Sequence, residues 1–310
     1  MPNGVNRMLF RILAILMLTT FPAMAKPPTV ITDIPPIHSL VVQVMQGVGT
    51  PALLLGKGSD PHHFQLRPSQ ARSLSKADLV VWVGPALTPW LARAINGLGA
   101  GGDSLVLLDV SNTHLRFFSS EPKEEMQETN RDSAIRPGVD PHAWLDPENA
   151  MIWLDAIAGE LARLDPENAG KYRENAVKAV ERIRLLEQEL TRRLAPMQGK
   201  AIIVFHDAYN YFAARFGLTI AGAIQPGDAT KPGAAYLARL RRELKSANVV
   251  CAFGEPQRNM AQLTTLLRGT GIKSGTLPDP TGDLLPPGPD LYETLLRQLA
   301  NSIITCADQP

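Results

Sequence analysis

Apolar and polar positions alternate along the chain in two repeating rhythms, short β-rich runs followed by helical patterns. In the first half the spacing predicts strands at Val30–Ile34, Ala52–Leu55, Leu79–Val83 and Leu105–Val110. Helical patterns follow three of them, at Ile37–Gln46, Ser69–Lys76 and Pro89–Leu98. The second half repeats this with strands at Ala201–Phe205, Leu218–Ala223, Val249–Phe253 and Ile272–Leu277, and helices at Ala208–Phe216, Gly233–Ser246, Met260–Arg268 and Leu291–Cys306. Strands that alternate with helices build parallel sheets covered by helices. The expected fold is therefore α/β, two lobes with four-stranded parallel sheets.

Between the halves runs one long helical pattern. Asp165-Pro166 supplies an N-cap and a proline at the first helical position, and Glu167 suits the positive end of the helix dipole. Tyr172, Ala176, Val180, Ile183, Leu186, Leu190 and Leu194 then recur every three or four residues as one apolar stripe. Pro196 and Gly199 mark its end. Some 29 residues rising 1.5 Å each give a strut of roughly 43 Å, which reads as a stiff connection. A separate helix starts in the same way at Asp146-Pro147 and runs to Leu164. The expected organisation is 1–25 a signal peptide, 26–164 an N-terminal lobe, 165–195 a linking helix and 196–310 a C-terminal lobe. Within the first lobe Arg116–Val139 is polar, holds Glu121, Glu124, Glu125 and Glu128, lacks an apolar period and reads as a flexible acidic loop.

The N-terminus sets the compartment. Arg7 and Arg11 flank the start of an apolar run too short to span a membrane, and Ala23-Met24-Ala25 has the small-x-small pattern of a cleavage site. A soluble exported product beginning near Lys26 is expected. Formal charge is +1 for the whole chain, and without residues 1–25 it becomes 29 basic against 30 acidic side chains. That balance offers nothing to nucleic acid or an anionic membrane. The two cysteines, Cys251 and Cys306, would be exported into an oxidising compartment, which favours a disulfide tying the last helix to its sheet.

The candidate chemistry lies in six histidines. His38 follows the first strand and His62 and His63 the second, while His114 lies past the fourth. His142 precedes the Asp146 helix, and His206 ends the first strand of the second half. In open α/β sheets ligands bind beyond the carboxyl ends of the strands, so several of these converge by topology alone. Three imidazoles and one carboxylate can close a tetrahedral zinc site, and imidazoles also suit Cu²⁺ and Ni²⁺. Asp279, held between Pro278 and Pro280 after the last strand, is the carboxylate candidate, with Glu255 as the alternative. Asp60, Asp140 and Asp207 each adjoin a histidine or lie two residues from one, and could orient imidazoles.

Five motifs carry a family resemblance: Gly58-Ser59-Asp60-Pro61-His62 running into Leu66-Arg67-Pro68-Ser69; Ala77 to Gly84; Asp140-Pro141-His142-Ala143-Trp144-Leu145; Phe205-His206-Asp207-Ala208-Tyr209; and Phe253-Gly254-Glu255-Pro256-Gln257. With these the chain resembles the zinc- and manganese-binding cluster of ABC-importer solute-binding proteins, closest to the ZnuA zinc type, over nearly all of its mature length. The resemblance implies two lobes joined by a rigid helix, a Cys251–Cys306 disulfide, and no enzymatic activity. It selects His62, which directly follows Pro61, over His63, and makes His142 and His206 the second and third ligands. Manganese members carry glutamate at the third place, so His206 points to Zn²⁺. Asp279 matches an Asp-Pro that ligates in some members. The implied partners are the permease of an ABC importer, with its ATPase a separate chain, and a periplasmic zinc chaperone; the protein is expected to be a monomer. One departure is plain: zinc-type members often have a histidine-rich acidic loop, and Arg116–Val139 contains no histidine, leaving His114 at its edge.

Rival readings are a manganese-binding or adhesin member of the family and a zinc hydrolase. Hydrolysis needs an open metal position for water. No His-Glu-x-x-His is present, and four protein ligands leave no such position; a water in place of Asp279 would restore it. Nucleotide binding fails because Pro51 and Gly58 occupy the Gly and Ser/Thr places of a P-loop around Gly56-Lys57. The implied mechanism is capture and release, weakened by protons as pH falls through the ordinary imidazole range near about 6.5.

Overall fold

The computed structural model of the protein describes residues 26–98, 102–118, 138–226, 233–244, 248–256 and 260–309. The expected signal peptide at 1–25, most of the acidic loop and Gln257 of the last motif lie outside the described residues. The first sheet contains β1 (Val30–Thr32), β2 (Ala52–Leu53), β3 (Leu79–Trp82) and β4 (Asp103–Val106), in the order β2-β1-β3-β4 and parallel throughout. Helices α1 (Pro35–Val44), α2 (Pro68–Leu74) and α3 (Pro89–Leu98) connect its strands. The short pair β5 (Arg116–Phe117) and β6 (Val139–Asp140) is antiparallel, and α4 (Pro147–Leu164) follows. After α5 (Ala169–Leu194), the second sheet holds β7 (Ala201–His206), β8 (Thr219–Gln225), β9 (Val249–Gly254) and β10 (Lys273–Thr276), in the order β10-β9-β7-β8, again all parallel. Its helices are α6 (Asn210–Arg215), α7 (Ala234–Glu243), α8 (Met260–Leu267) and α9 (Leu291–Ala307).

The two four-stranded parallel sheets and the long helix are those the periodicity predicts. Three details differ. The predicted strand Leu105–Val110 begins earlier, at Asp103, and breaks after Val106, because Leu107–Asp109 turns into a 3-10 helix that buries Leu107 and Leu108 together. An apolar run without alternation cannot distinguish a strand from a buried turn. The ends of the predicted loop are ordered: Arg116 and Phe117 pair with Asp140 and Val139. The linking helix opens as a 3-10 turn at Pro166–Asn168 and closes as another at Ala195–Met197, so the α-helical part is 26 residues, about 39 Å at 1.5 Å each.

That helix is also more than a strut. Tyr172, Ala176, Ile183, Leu186, Leu190 and Leu194 are buried in a single apolar cluster that runs from Val30 on β1 to Cys306 on α9, and so belongs to both halves. Buried Asn175 donates from Nδ2 to the carbonyls of Val44 (2.9 Å) and Gln46 (2.8 Å), satisfying the orphan C-terminal end of α1. From the other side α9 locks onto α1, where Ser39 Oγ donates to the Pro289 carbonyl at 3.0 Å and accepts from the Tyr292 amide at 3.2 Å. Tyr292 Oη reaches across to the Trp144 carbonyl at 2.8 Å. Cys251 and Cys306 form the expected disulfide, 55 residues apart in sequence, tying α9 to β9. A second apolar cluster, built on Ile203, Phe205, Leu240 and Leu263, covers the far face of the second sheet.

Asp33, fully buried, closes the floor of the first sheet. Its carboxylate accepts from the backbone amides of Ile34 (2.8 Å) and Val83 (2.9 Å), and its carbonyl accepts from the Leu55 amide (3.0 Å), so one residue ties three strand ends. Burial pushes this carboxyl up to about 7, against the pull of those amides. Between about pH 4 and that value the fold keeps a proton the unfolded chain has released, so Asp33's contribution to stability declines as pH rises through that window. In denaturant titrations of metal-free protein, the stability deficit of Asp33→Asn relative to wild type should therefore shrink from pH 5 to pH 8; a deficit that widens with pH contradicts this. Leu186→Ala, inside the shared cluster, should cost about 2–5 kcal/mol in the same assay, against no measurable loss if α5 were only a tether.

Candidate metal centre

Both sheets present their strand ends to one crevice, and its residues are fixed one by one. The turn after β2 is held from two directions. Trp90 Nε1 on α3 donates to the Pro61 carbonyl at 2.7 Å, with the Phe64 ring packed at a tilt against the same indole, and Gly58 donates its amide to Asp283 Oδ2 at 2.8 Å. Gly58 has φ +75°, a conformation natural to glycine. Asp60 accepts the His62 amide at 2.9 Å and lies 3.5 Å from the ring of His63. His62 thus turns inward, half-buried, while His63 stays exposed.

His142 sits in the turn between β6 and a short 3-10 helix at Ala143–Leu145. Asp140 Oδ1 accepts its backbone amide at 3.0 Å and faces its ring Nδ1 at 2.8 Å, in a site from which both residues are closed to solvent. An imidazole that donates from Nδ1 to this carboxylate keeps the lone pair of Nε2 for a cation. Below the turn, Asp146 caps α4 through the Glu148 amide at 3.0 Å, and Trp144 Nε1 donates to the Pro280 carbonyl at 2.8 Å. His206, 4% exposed, is the last residue of β7.

The three rings meet. Centroids are 6.0 Å apart for His62 and His142, 6.2 Å for His62 and His206, and 5.0 Å for His142 and His206. One nitrogen from each lies within 4.8 Å of the others, and among the described residues this is the only such group of three or more potential ligands. Nitrogens bound to one tetrahedral zinc would be about 3.4 Å apart, a contraction that side-chain adjustment can supply. The rings line a cavity of about 130 Å³ whose other walls include Gly58, Pro61, Asp279, Pro280 and Asp283. Asp279 therefore faces the same space, its Oδ1 held by the Thr281 amide at 2.8 Å and by the Thr281 hydroxyl at 2.5 Å.

The remaining candidates fall elsewhere. Glu255 is buried but takes the Tyr209 hydroxyl at 3.0 Å, and it does not line the cavity. His38 lies in α1 with Nε2 3.2 Å from the Pro51 carbonyl, and burial lowers its pKa. His114 stands beside Asp146 (3.6 Å) and Glu148 (3.7 Å), outside the cavity. Of the three neighbouring aspartates, Asp140 bonds an imidazole, Asp60 holds a backbone amide, and Asp207 accepts from Asn210 at 2.7 Å. Burial pushes the Asp207 carboxyl up, Asn210 opposing that and Asp140 adding to it. Sequence reasoning missed Asn210, Thr281 and Asp283. Asp283 follows Asp279 by four residues, yet no spacing rule ties it to the Gly58 amide.

This arrangement, two α/β halves packed about a long helix with a crevice between their strand ends, is a solute-binding-protein fold. It superposes on the Mn²⁺ complex of the solute-binding protein FpvC from Pseudomonas aeruginosa with a TM-score of 0.76 at 21% identity, covering 91% of this chain and 99% of that one. Residues 30–306 match the family model of ZnuA, the periplasmic component A of the zinc-uptake complex. The chain is 42% identical over 304 residues to the high-affinity zinc uptake system protein ZnuA of Paracoccus denitrificans, spanning 92% of this chain and 93% of that protein. It is 36% identical over 304 residues to the protein of the same name from Brucella abortus, at 89% and 91% coverage. The chain belongs to the ZnuA family.

Proposed function

We propose that this protein captures Zn²⁺ in the periplasm and delivers it to the permease of an ABC importer whose ATPase is a separate chain. Residues 1–25 are its signal peptide, cleaved near Ala25. His62, His142, His206 and Asp279 hold the ion. The observation that carries this reading is the convergence of three imidazole nitrogens, from both halves, within 4.8 Å in one small cavity. Three borderline nitrogen donors and one oxygen suit Zn²⁺ better than Mn²⁺, which prefers oxygen-rich sets. Asp279 is preferred to Glu255 as the fourth ligand because it lines the cavity, and the carboxylate oxygen not engaged by Thr281 is the one we assign to the ion. The names of the Paracoccus and Brucella relatives agree with zinc uptake.

The role is binding, without catalysis: with Asp279 bound, the ion keeps no open position for a hydrolytic water. Among the described residues no helix is long and apolar enough to cross a membrane. We take the protein to act as a monomer and to accept zinc either free or from a periplasmic chaperone. A histidine-rich collecting loop is not part of this chain, since residues 116–139 contain no histidine.

Competition titrations against a chelating dye, on metal-stripped protein, test the assignment. His62→Ala, His142→Ala and His206→Ala should each weaken zinc binding at least about 100-fold, beyond the 10–100-fold typical of outer hydrogen-bond partners, and Asp279→Ala by less. Wild-type affinity in any two of the histidine variants contradicts the site. Tighter equilibrium binding of Mn²⁺ than of Zn²⁺ contradicts the metal.

A further inference from the structure

Behind the imidazoles lies a polar contact that joins the two halves of the crevice. Asp140, on the first half, and Asp207, on the second, are both buried, and each stands within two residues of a site histidine. Asn210, at the start of α6, reaches both: its Nδ2 donates to Asp207 Oδ1 at 2.7 Å and to Asp140 Oδ2 at 3.3 Å. A side-chain amide nitrogen carries two hydrogens and can serve two carboxylates at once, which neither a hydroxyl nor a carboxylate can do. Next along the same helix, Tyr211 donates its hydroxyl to the Asp140 carbonyl at 2.9 Å and accepts the Arg116 amide at 2.8 Å. The first turn of α6 therefore grips the end of β6, two residues before His142, by side chain and backbone together.

We propose that Asn210 is a positioning residue, which sets the separation and orientation of His142 and His206 and thereby slows release of the bound ion. The inference rests on the zinc site proposed above. Asp140 fixes the His142 ring through Nδ1 (2.8 Å), and Asn210 fixes Asp140 relative to the segment that begins with His206. Those two rings are the closest pair of the three, at 5.0 Å. Without the amide, two buried carboxylates face each other with no shared donor, and their repulsion would push the two histidine-bearing segments apart.

Stopped-flow transfer of zinc to excess chelator, paired with the visible absorption of the Co²⁺-substituted protein, tests this. Asn210→Ala should raise the zinc dissociation rate about 10–100-fold, the range for loss of an outer partner. Asn210→Asp, which adds a third carboxylate, should raise it further. Adding Asp207→Asn to Asn210→Asp restores the charge count and should slow release below that of Asn210→Asp alone. The Co²⁺ bands of the single variants should shift, reporting altered ligand geometry that a general loss of stability would not produce. If Asn210→Asp folds poorly, the Asn210→Ala comparison decides. Wild-type dissociation rates and unchanged Co²⁺ bands in the Asn210 variants, with wild type holding zinc normally, overturn this inference and leave the zinc site standing. A wild-type protein that holds no zinc overturns both.

Discussion

Three imidazoles can share one cation only if the two sheets that bear them keep a fixed separation, and apolar packing around α5 sets it. His62 and His142 come from the first half and His206 from the second, so any drift between the halves opens the cluster. The apolar cluster that crosses from β1 through α5 to α9 resists that drift; Asn175 bonds α5 to the first half, and Ser39 and Tyr292 add hydrogen bonds between the two halves. A rigid frame leaves small motions to the loops. The turn carrying His62, the least buried of the three, is held at the crevice mouth by the Trp90 and Asp283 contacts.

The polar layer behind the rings follows the same logic at smaller scale. A bare imidazole on a turn samples several orientations. His142 is confined by the Asp140 carboxylate, which Asn210 holds in turn, while the Tyr211 hydroxyl holds the Asp140 backbone carbonyl. The His142 and Tyr211 bonds are buried and the Asn210 bond is partly so; in such surroundings an unpaired polar group is costly and a paired one is correspondingly well ordered. The orientation of His142 is thus set by the helix that follows the strand ending in His206.

Much of this was legible in the sequence because its signals are local. Period-two and period-3.6 patterns placed the eight main strands and the long helix, and the rule that ligands gather at strand ends placed His62, His206 and Asp279 at one crevice. The choice of His62 over His63 came from a family pattern, and the Trp90–Pro61 contact and the Asp60 cap supply its physical basis. What was not legible depends on long-range contact. Leu107 and Leu108 read as strand because burial in a turn and burial in a sheet require the same residues. The β5–β6 pair escaped notice because two-residue strands carry no period and their partners are more than twenty residues apart. Asn210 looked like an ordinary helix-start residue, and only the fold brings it between Asp140 and Asp207.

In the proposed function a zinc ion is bound by three imidazoles from both halves of the molecule. X-ray absorption at the zinc edge of the protein loaded with one equivalent of Zn²⁺ tests it most directly. The expected spectrum has four light-atom neighbours at about 2.0–2.2 Å, with the outer-shell scattering of three imidazole rings and one carboxylate oxygen. A fit requiring two or fewer imidazoles, or a sulfur neighbour, would contradict it.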